Sequence, residues 1–338
     1  MEIKNKRVMV TGGAGFIGSH LVNELSKQNE VLVVDDFSAG EMENLSQCAD
    51  KVTIIRADVC DKERMFELAK GIDIIYHLAA QCLRVSIRNP QLVHEVNSTG
   101  SLYLCMAALQ NGVKRFVYVS SSEVYGTAKC VPMTEAHPCE PTTVYGASKL
   151  AGEAYARAFH RTYGLPVVVV RAFNTYGPRS HVKGVHGEVI PRFVARVLNE
   201  LPPVIFGDGE QTRDFTYISD TVRGIILSSA SDELAGSVVN IACGGEVNIK
   251  EIANIIIGTL GVTDLKPFFG KPRPGDVRRH YADITMAKQK LGFKPEVSIS
   301  EGIKSYIQWF KADHRNLEEH RGEEDIYNWK LTQETVVE

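Results

Sequence analysis

The sequence lacks the features that mark disulfide-rich and metal-binding proteins. Its seven cysteines are scattered, and no two of them form a CxxC pair. An odd number in a chain of 338 residues, which is long enough to bury a large core, indicates reduced thiols in a cytoplasmic protein. A zinc site would need a cysteine–histidine spacing that this chain does not have, so we expect no metal site.

Long apolar runs and an excess of one charge are also lacking. No run reaches the roughly 18 apolar residues of a membrane span, and the N-terminal MEIKNKRVMVTGG leads directly into a strand without a signal-peptide hydrophobic region. We therefore expect no membrane association. The formal net charge of −3 gives no electrostatic reason to bind nucleic acid. The composition is that of an ordinary globular protein.

Short apolar runs alternate with helical patterns over about the first half of the chain. The runs that read as buried parallel strands are RVMVTG, EVLVVD, VTIIRAD, IDIIYHLAA, KRFVYVS and LPVVVVRAF. The segments between them are long enough for crossover helices, which is the βαβ signature. The pattern predicts an α/β fold with a Rossmann-like, doubly wound parallel sheet.

Proline and glycine become frequent beyond about residue 173, where the elements are shorter. This change predicts a smaller α+β lobe that binds the substrate. We expect a dinucleotide-binding domain over 1–173, to which later segments return, a substrate-binding lobe mainly over 174–312, and a charged tail over 313–338. The tail is expected to be a solvated helix or a frayed end, and we assign it no function.

A glycine-rich turn, TGGAGFIGSHLV, follows the first strand and opens a helix. Gly12, Gly15 and Gly18 have the spacing in which the first glycine permits a tight turn, the second lets the main chain approach a pyrophosphate, and the third lets the helix pack on the sheet. The N-terminus of the helix, with Phe16 and Ile17, then faces the phosphates. The strand–turn–helix context predicts a dinucleotide site.

Carboxylates follow the second and third strands. Asp35 and Asp36 end the second strand, where a carboxylate accepts hydrogen bonds from the adenosine ribose and repels a 2′-phosphate. They favour NAD over NADP, and the alternative is a solvated pair in a turn. Asp58, followed by Val59, either binds the edge of the adenine or is the N-cap of the helix DKERMFELA.

A second motif, YGASK, lies at the start of the helical segment 143–164. Tyr145 and Lys149 are four residues apart and share one helix face. An ammonium near a phenol lowers the pKa of the phenol, and such a tyrosine accepts a proton from a sugar hydroxyl while hydride leaves the same carbon. YxxxK alone is commonly structural, but downstream of a dinucleotide turn and a serine-bearing strand end it predicts catalysis.

Several motifs together resemble those of one family. They are TGGAGFIG, VVDD, HLAAQ, VSSSEVYG, YGASK, RAFNTYGPR, GDGEQTRDFTYISD and RPGD. Over roughly residues 5–312 the chain resembles the extended short-chain dehydrogenase/reductases, specifically the NAD-dependent nucleotide-sugar epimerase/dehydratase family, and looks UDP-glucose 4-epimerase-like. The resemblance implies NAD as cofactor, a nucleotide-sugar substrate with UDP-sugars favoured, and a homodimer that pairs the helices near 91–110 and 143–163.

The resemblance also implies residue roles. Ser121 would hydrogen-bond the sugar O4, Tyr145 would be the base, and Lys149 would hold the nicotinamide ribose. The further implied contacts are Leu78, Ala79, Ala80 and Asn97 for the cofactor, Asn174, Arg213, Arg273 and Asp276 for the diphosphate and ribose, Val204 and Phe206 for the uracil, and Glu188, Val189 and His280 for the substrate.

Some of these assignments have alternatives. Asn174 and Arg213 are otherwise turn and ion-pair residues, and Asp276 otherwise belongs to a Pro-Gly-Asp turn. Glu188 stands where many of these epimerases have asparagine, which leaves its contact with substrate open. His280 is expected to gate the sugar pocket, with a volume that admits UDP-glucose-type sugars.

Glu123, in VSSSEVYG, leaves the reaction open. A ketone at C4 acidifies the C5–H bond, and a carboxylate that removes this proton allows the C6 hydroxyl to leave. A hydroxyl–x–Glu pattern recurs in 4,6-dehydratases and UDP-glucuronate decarboxylases, whereas RPGD favours a UDP-sugar 4-epimerase, which we rank first by a narrow margin. Alternatively, Glu123 turns away and only fixes its loop by hydrogen bonds. A non-catalytic NAD-binding sensor or scaffold is disfavoured because Tyr145 and Lys149 are both present.

Overall fold

The computed structural model describes residues 1–312 and 326–329. The strands are β1 (Arg7–Thr11), β2 (Glu30–Asp35), β3 (Val52–Arg56), β4 (Ile74–His77), β5 (Arg115–Ser121), β6 (Val167–Ala172), β7 (Thr175–Tyr176), β8 (Val204–Phe206), β9 (Thr212–Arg213), β10 (Thr216–Tyr217), β11 (Val238–Ile241), β12 (Val247–Asn248) and β13 (Phe268–Gly270). The α-helices are α1 (Phe16–Leu25), α2 (Lys62–Leu68), α3 (Leu83–Arg88), α4 (Pro90–His94), α5 (Ser101–Gln110), α6 (Val144–Tyr163), α7 (Val189–Leu198), α8 (Ile218–Ala230), α9 (Ile249–Leu260), α10 (Thr285–Leu291) and α11 (Ile299–Ala312). Within the described residues, none of these helices combines the length and apolarity needed to cross a membrane.

Seven parallel strands form the central sheet, in the order β11-β6-β5-β4-β1-β2-β3. The six strands expected from the apolar runs are confirmed. The seventh, β11, comes from the second half of the chain and was not predicted, because its four residues VVNI are too short a signal beside the neighbouring glycines. The Rossmann-like sheet is therefore extended at one edge by a segment that returns to it.

Helices cover both faces of this sheet. Val8 and Val10 of β1 pack with α1, α8 and α10 on one face, whereas Met9 packs with α2, α5 and α6 on the other. Successive side chains of a strand point to opposite faces, so an uninterrupted apolar run is what a strand buried on both sides requires. The expectation of a doubly wound α/β fold is confirmed.

A second apolar core lies outside the sheet. It is formed mainly by α7, α9 and α11, which contribute Phe193, Ile252, Ile256, Ile303 and Phe310. Three two-stranded ladders, β7–β10, β8–β13 and β9–β12, lie in this half of the chain. These short elements agree with the α+β pattern expected after residue 173, while the domain boundary itself stays a prediction.

The charged tail is only partly within the described residues. Residues 313–325 and 330–338 lie outside them. The segment 326–329 differs from the expectation of a solvated end, because Asn328 and Trp329 are only 4% and 6% exposed. The Trp329 ring packs against Phe206, with ring centroids 4.4 Å apart, and the burial of this large apolar ring explains the difference.

The order in which strands are added reverses at the centre of the sheet. From β1 the chain proceeds outward through β2 to β3, and from β4 it proceeds through β5 to β6 on the other side. In open α/β sheets, ligands bind in the crevice outside the carboxyl ends of the strands at such a switch point. The fold therefore indicates a site beyond the ends of β1 and β4.

The packing of α1 on the glycine turn has a direct test. A Cβ at Gly18 would lie 2.0 Å from the carbonyl oxygen of Gly12, which belongs to the main chain and cannot move aside. We expect Gly18→Ala to lower the free energy of unfolding by about 1–3 kcal/mol or more, the cost of overpacking.

Gly258→Ala is the matched control. A Cβ at this exposed position of α9 would meet no described atom within 4 Å, and removing a helical glycine stabilises by up to about 1 kcal/mol. Both variants are measured by denaturant unfolding. An unfolding free energy of Gly18→Ala equal to that of the parent chain would contradict the packing described.

Candidate active site

A cleft of about 460 Å³ runs along the carboxyl ends of the strands. All but two of the residues that sequence reasoning selected line it. Those expected to contact the cofactor are Gly12, Gly15, Phe16, Ile17, Gly18, Asp35, Asp36, Asp58, Val59, Leu78, Ala79 and Ala80. Those expected at the reacting centre are Ser121, Glu123, Tyr145 and Lys149, and those expected at the substrate are Asn174, Glu188, Val189, Val204, Phe206, Arg213, Arg273 and Asp276.

The glycine turn forms one wall of the cleft. Gly12 has a φ of +69°, and a Cβ there would lie 2.7 Å from the main-chain nitrogen of Ala79. Two main-chain segments therefore approach each other more closely than side chains would permit. Gly15 is the N-cap of α1, whose first turn is uncharged, so the unpaired N–H groups present a positive end to the cleft. This wall is suited to a pyrophosphate.

The carboxylates beside the turn are held in place by main-chain donors. Asp35 accepts hydrogen bonds from the N–H groups of Ala14 (2.8 Å) and Phe37 (2.9 Å), and each of its oxygens retains a lone pair. Burial raises the pKa of Asp35, which these two bonds oppose. Asp58 is not the N-cap of α2; Asp61 has that role and accepts from the N–H of Arg64 at 3.0 Å.

The side chain of Lys149 is buried at the centre of the cleft wall. Its ammonium lies 4.6 Å from the centre of the Tyr118 ring, and the Tyr118 hydroxyl donates to the carbonyl of Lys149 at 3.1 Å. Burial lowers the pKa of Lys149 to about 7, with Glu153 acting in the opposite direction. A cation on an aromatic face retains part of the stabilisation that it loses with its hydration.

The pKa of Tyr145 differs from the expectation. Burial raises it to about 12, and the nearby Ser121 hydroxyl only partly opposes this rise. The expectation of a near-neutral phenol rested on Lys149 alone. Desolvation of the buried phenol is the largest influence on its pKa here, and the Lys149 ammonium lies over the Tyr118 ring.

A buried ion pair lies behind α6. Arg171 of β6 donates to both oxygens of Glu153 at 2.5 and 3.0 Å, and Ser120 donates to the same carboxylate at 3.2 Å. The Arg171 guanidinium also lies 4.5 Å from the centre of the Tyr125 ring. These contacts connect α6 to the ends of β5 and β6, and so fix the height of Tyr145 and Lys149 above the sheet.

The carboxylate of Glu123 faces the cleft. The residue is 9% exposed, and within the described part of the chain its carboxylate accepts no hydrogen bond. The interpretation that Glu123 only fixes its loop by hydrogen bonds is therefore wrong. Burial raises the pKa of Glu123, while the guanidinium groups of Arg213 and Arg273 lower it.

Arginines dominate the far end of the cleft. Arg213 and Arg273 both donate to Asp276, at 2.5 and 2.6 Å. Arg213 therefore forms the ion pair that was its alternative assignment, and it also lines the cleft. The Nε atom of Arg273 and the Oδ1 atom of Asn174 are buried and have no hydrogen-bond partner among the described residues. Unsatisfied polar atoms that line a cleft are candidates for ligand contacts.

Sequence reasoning missed three further arginines in the cleft wall, Arg84, Arg192 and Arg196. Arg84, on α3, donates to the carbonyl groups of Val185 and His186, both at 2.6 Å. In the sequence, Arg84 is recognisable only as a cation within the apolar segment that follows HLAAQ. Trp329 was also missed, because its tail carries a composition typical of solvated chain.

Asn97 and His280 do not line the cleft. The Asn97 amide donates to the Gln81 carbonyl at 3.1 Å and to the Ser148 hydroxyl at 3.0 Å, so it lies behind the wall and connects two segments that line it. His280 is fully buried and its ring contacts Phe173, with centroids 6.2 Å apart. The expectation that His280 gates the pocket directly is wrong, because Phe173 separates the His280 ring from the cleft.

Comparison with known proteins agrees with this arrangement. A family model described as GDP-mannose 4,6 dehydratase matches residues 9–306. The chain is 36% identical over 312 residues to a putative UDP-glucose 4-epimerase of Methanocaldococcus jannaschii, which covers 91% of this chain and 99% of the relative.

Two solved structures are also similar. The UDP-N-acetylglucosamine 4-epimerase of Methanobrevibacter ruminantium M1 superposes with a TM-score of 0.86 and 37% identity, over 91% of this chain and 99% of that one. The dTDP-glucose 4,6-dehydratase DesIV of Streptomyces venezuelae, solved with NAD bound, gives a TM-score of 0.85 and 34% identity, over 91% of this chain and 98% of that one.

The fold and the cleft define a dinucleotide-binding enzyme of the Rossmann type. The chain belongs to the NAD-dependent nucleotide-sugar epimerase/dehydratase family of the extended short-chain dehydrogenase/reductases. The family expected from the motifs is confirmed.

Proposed function

We propose that this protein is an NAD-dependent UDP-sugar 4-epimerase that acts through transient oxidation at C4. The observation that carries the proposal is the position of Ser121, Tyr145 and Lys149, which line the cleft between a dinucleotide turn and an arginine-rich end. The epimerases named above are also among the proteins that this chain resembles over nine tenths of its length. Their substrates support the choice of a UDP-sugar.

The residues at the glycine turn fit NAD. The N-terminus of α1 would hold the pyrophosphate, and Gly12 lets the turn before this helix lie close to the main chain of Ala79. The carboxylates of Asp35 and Asp36 would accept hydrogen bonds from the adenosine ribose and repel the 2′-phosphate of NADP. Lys149 would donate to the nicotinamide ribose.

The opposite end of the cleft fits a nucleoside diphosphate. Five arginines, Arg84, Arg192, Arg196, Arg213 and Arg273, line it together with three carboxylates, Glu123, Glu188 and Asp276. Among the described residues at this end, arginines outnumber carboxylates, which suits a negatively charged diphosphate ester. Guanidinium groups are planar donor forks, which suits them to phosphate oxygens.

The proposed chemistry begins with proton removal from the sugar. Ser121 hydrogen-bonds the sugar O4 and Tyr145 accepts its proton as hydride leaves C4, which gives a 4-keto sugar. Bound NAD would supply the hydride acceptor and a positive charge that favours the Tyr145 phenolate. Once the 4-keto sugar has rotated in the cleft, Tyr145 would return the proton to O4 as C4 regains hydride on its opposite face.

A 4,6-dehydratase is the second candidate, and the position of Glu123 favours it. This residue lines the cleft together with Ser121, and the raised pKa of its carboxyl group suits a group that takes up a proton and releases it again. Because the neighbouring residue is Ser122 and not an acid, Glu123 would serve both as the base at C5 and as the acid for the C6 hydroxyl. The first oxidation at C4 is common to both candidates.

Tyr145→Phe tests the shared step. Removing the phenol hydroxyl deletes the proton acceptor, so turnover of UDP-glucose should fall by about 10²–10⁴-fold while NAD binding stays within about twofold. Tyr163→Phe, on the exposed end of the same helix, is the control and should retain full activity. Steady-state assays and cofactor titration measure both effects, and an active Tyr145→Phe enzyme would mean that the base is elsewhere.

Glu123→Gln separates the two reactions. In an epimerase the C4 inversion should survive within about tenfold, whereas in a dehydratase turnover should fall by about 10²–10⁴-fold because the base at C5 is lost. Mass spectrometry of the product reveals the loss of water, and the absorbance of NADH reports whether C4 oxidation still occurs in the variant. Water loss by the parent enzyme that this substitution abolishes would replace the epimerase proposal by the dehydratase.

We also propose a cytoplasmic homodimer. All seven cysteines are free thiols, which supports a reducing compartment. Val144 and Tyr155 of α6 are 41% and 37% exposed and share one helix face, which supports the pairing of α6 and the helices near 91–110 with those of a second copy.

The dimer is tested by light scattering at micromolar concentration. Tyr155→Glu places a charge in the proposed interface and should shift the mass towards that of a monomer. Phe268→Glu, at an exposed apolar position of β13, is the control and should remain dimeric. A parent chain that is monomeric under these conditions contradicts the proposal.

A further inference from the structure

The segment Ile326–Trp329 lies against the arginine-rich end of the cleft. Asn328 and Trp329 both line the cleft, although nearly all of its other lining residues lie before residue 216. The carbonyl of Ile326 accepts a hydrogen bond from Arg192 at 3.4 Å, which connects the segment to α7. A part of the chain whose composition is that of a solvated tail thus contributes to the site.

Asn328 and Tyr327 attach the segment at two points. The buried amide of Asn328 donates to the carbonyl of Gly184 at 2.8 Å and to that of Gly187 at 3.4 Å. The Tyr327 hydroxyl accepts from the N–H of Lys271 at 3.4 Å, just after β13. The segment therefore connects the loop before α7 with the β8–β13 ladder.

Trp329 completes an aromatic group at the end of β8. Its ring meets Phe206 edge to face, with centroids 4.4 Å apart and an angle of 86° between the planes. Tyr327 lies 5.8 Å from Phe206 and 5.5 Å from Trp329. Trp329 meets both Phe206 and Tyr327 edge to face, which fixes the orientation of the Trp329 ring. Phe206, the side chain expected to flank the nucleobase, is thus held by rings that arise from the tail.

We propose that Trp329 is a binding residue for the nucleobase of the nucleotide sugar, and that Tyr327 and Asn328 hold it in position. This inference rests on the proposed function, since it assumes a nucleoside diphosphate at the arginine-rich end. A base presents two apolar faces and gains affinity by stacking on aromatic side chains. Phe206 and Trp329 stand at right angles, so one base can contact the face of one ring and the edge of the other.

The two tryptophans of the chain make a direct binding test possible. Trp309 packs in the second apolar core against Tyr306, with centroids 5.6 Å apart, and does not line the cleft. In the full chain with Trp309→Phe, Trp329 is the only tryptophan. Titration with uridine diphosphate should quench its fluorescence saturably, while Trp329→Phe, which retains Trp309, should show no such response.

Affinity provides the second measurement. Trp329→Ala should raise the Kd for uridine diphosphate and the KM for the UDP-sugar by about tenfold or more, because the stacking surface is lost. The kcat and the Kd for NAD should stay within about twofold of the parent enzyme. Asn328→Ala, which removes the attachment but keeps the ring, should raise the same Kd by a smaller factor.

Each outcome separates this inference from the proposed function. If the parent chain does not bind uridine diphosphate, the proposed substrate class fails. If it binds, but Trp329 gives no fluorescence response and Trp329→Ala leaves the Kd unchanged, the segment is only structural and the inference fails. A Kd that falls in Trp329→Ala would show that the ring blocks the site, which also overturns the inference.

Discussion

The central sheet is covered by helices on both faces, and this constraint decides where the protein can place polar chemistry. Val8, Met9 and Val10 fill the middle of β1 with apolar side chains, and the middle of β2 is built in the same way. Side chains that must meet a ligand therefore emerge where the strands end. Because the topology reverses between β1 and β4, the ends of strands on both sides meet at one crevice. Ser121 and Asp35 lie there for this reason.

The charge of Lys149 in the cleft depends on side chains that do not line the cleft themselves. Lys149 is buried, and a buried ammonium is stable only where something replaces its hydration; the Tyr118 ring does so. The Arg171–Glu153 pair beneath it is buried as well, and removal of either partner would leave an unpaired charge. The same burial that lowers the pKa of Lys149 raises that of Tyr145, so the two residues cannot be understood from their spacing alone.

The sequence predicted those parts of the protein that have a local signal. Uninterrupted apolar runs identified six of the seven sheet strands, and the glycine turn and YGASK identified both sides of the cleft. Contacts between distant segments had no such signal. β11 is four residues long, Arg84 is one cation in an apolar segment, and Trp329 lies in a charged tail. The prediction for His280 failed for a related reason. Phe173 lies between the His280 ring and the cleft, and the sequence does not show which of two neighbouring side chains is closer to the ligand.

The choice between epimerisation and dehydration is a matter of how the sugar is held. The described residues that are suited to bind phosphate lie at the two ends of the cleft. One end has the glycine turn and the other has the arginines. A sugar attached through its diphosphate is then restrained mainly at one end, and a 4-keto sugar has the freedom to turn that epimerisation needs. Glu123 favours elimination instead. Its carboxylate accepts no hydrogen bond from the described residues, and in the cleft that Ser121 also lines it would offer the C5 proton an acceptor before the sugar turns. Arg213 and Arg273, which lower the pKa of Glu123, also contact Asp276. The diphosphate that binds these arginines would weaken their hold on the Glu123 charge, so substrate binding itself would raise the pKa of Glu123. A carboxyl group with a higher pKa is protonated over a wider pH range and is then unable to accept the C5 proton, which favours turning over elimination.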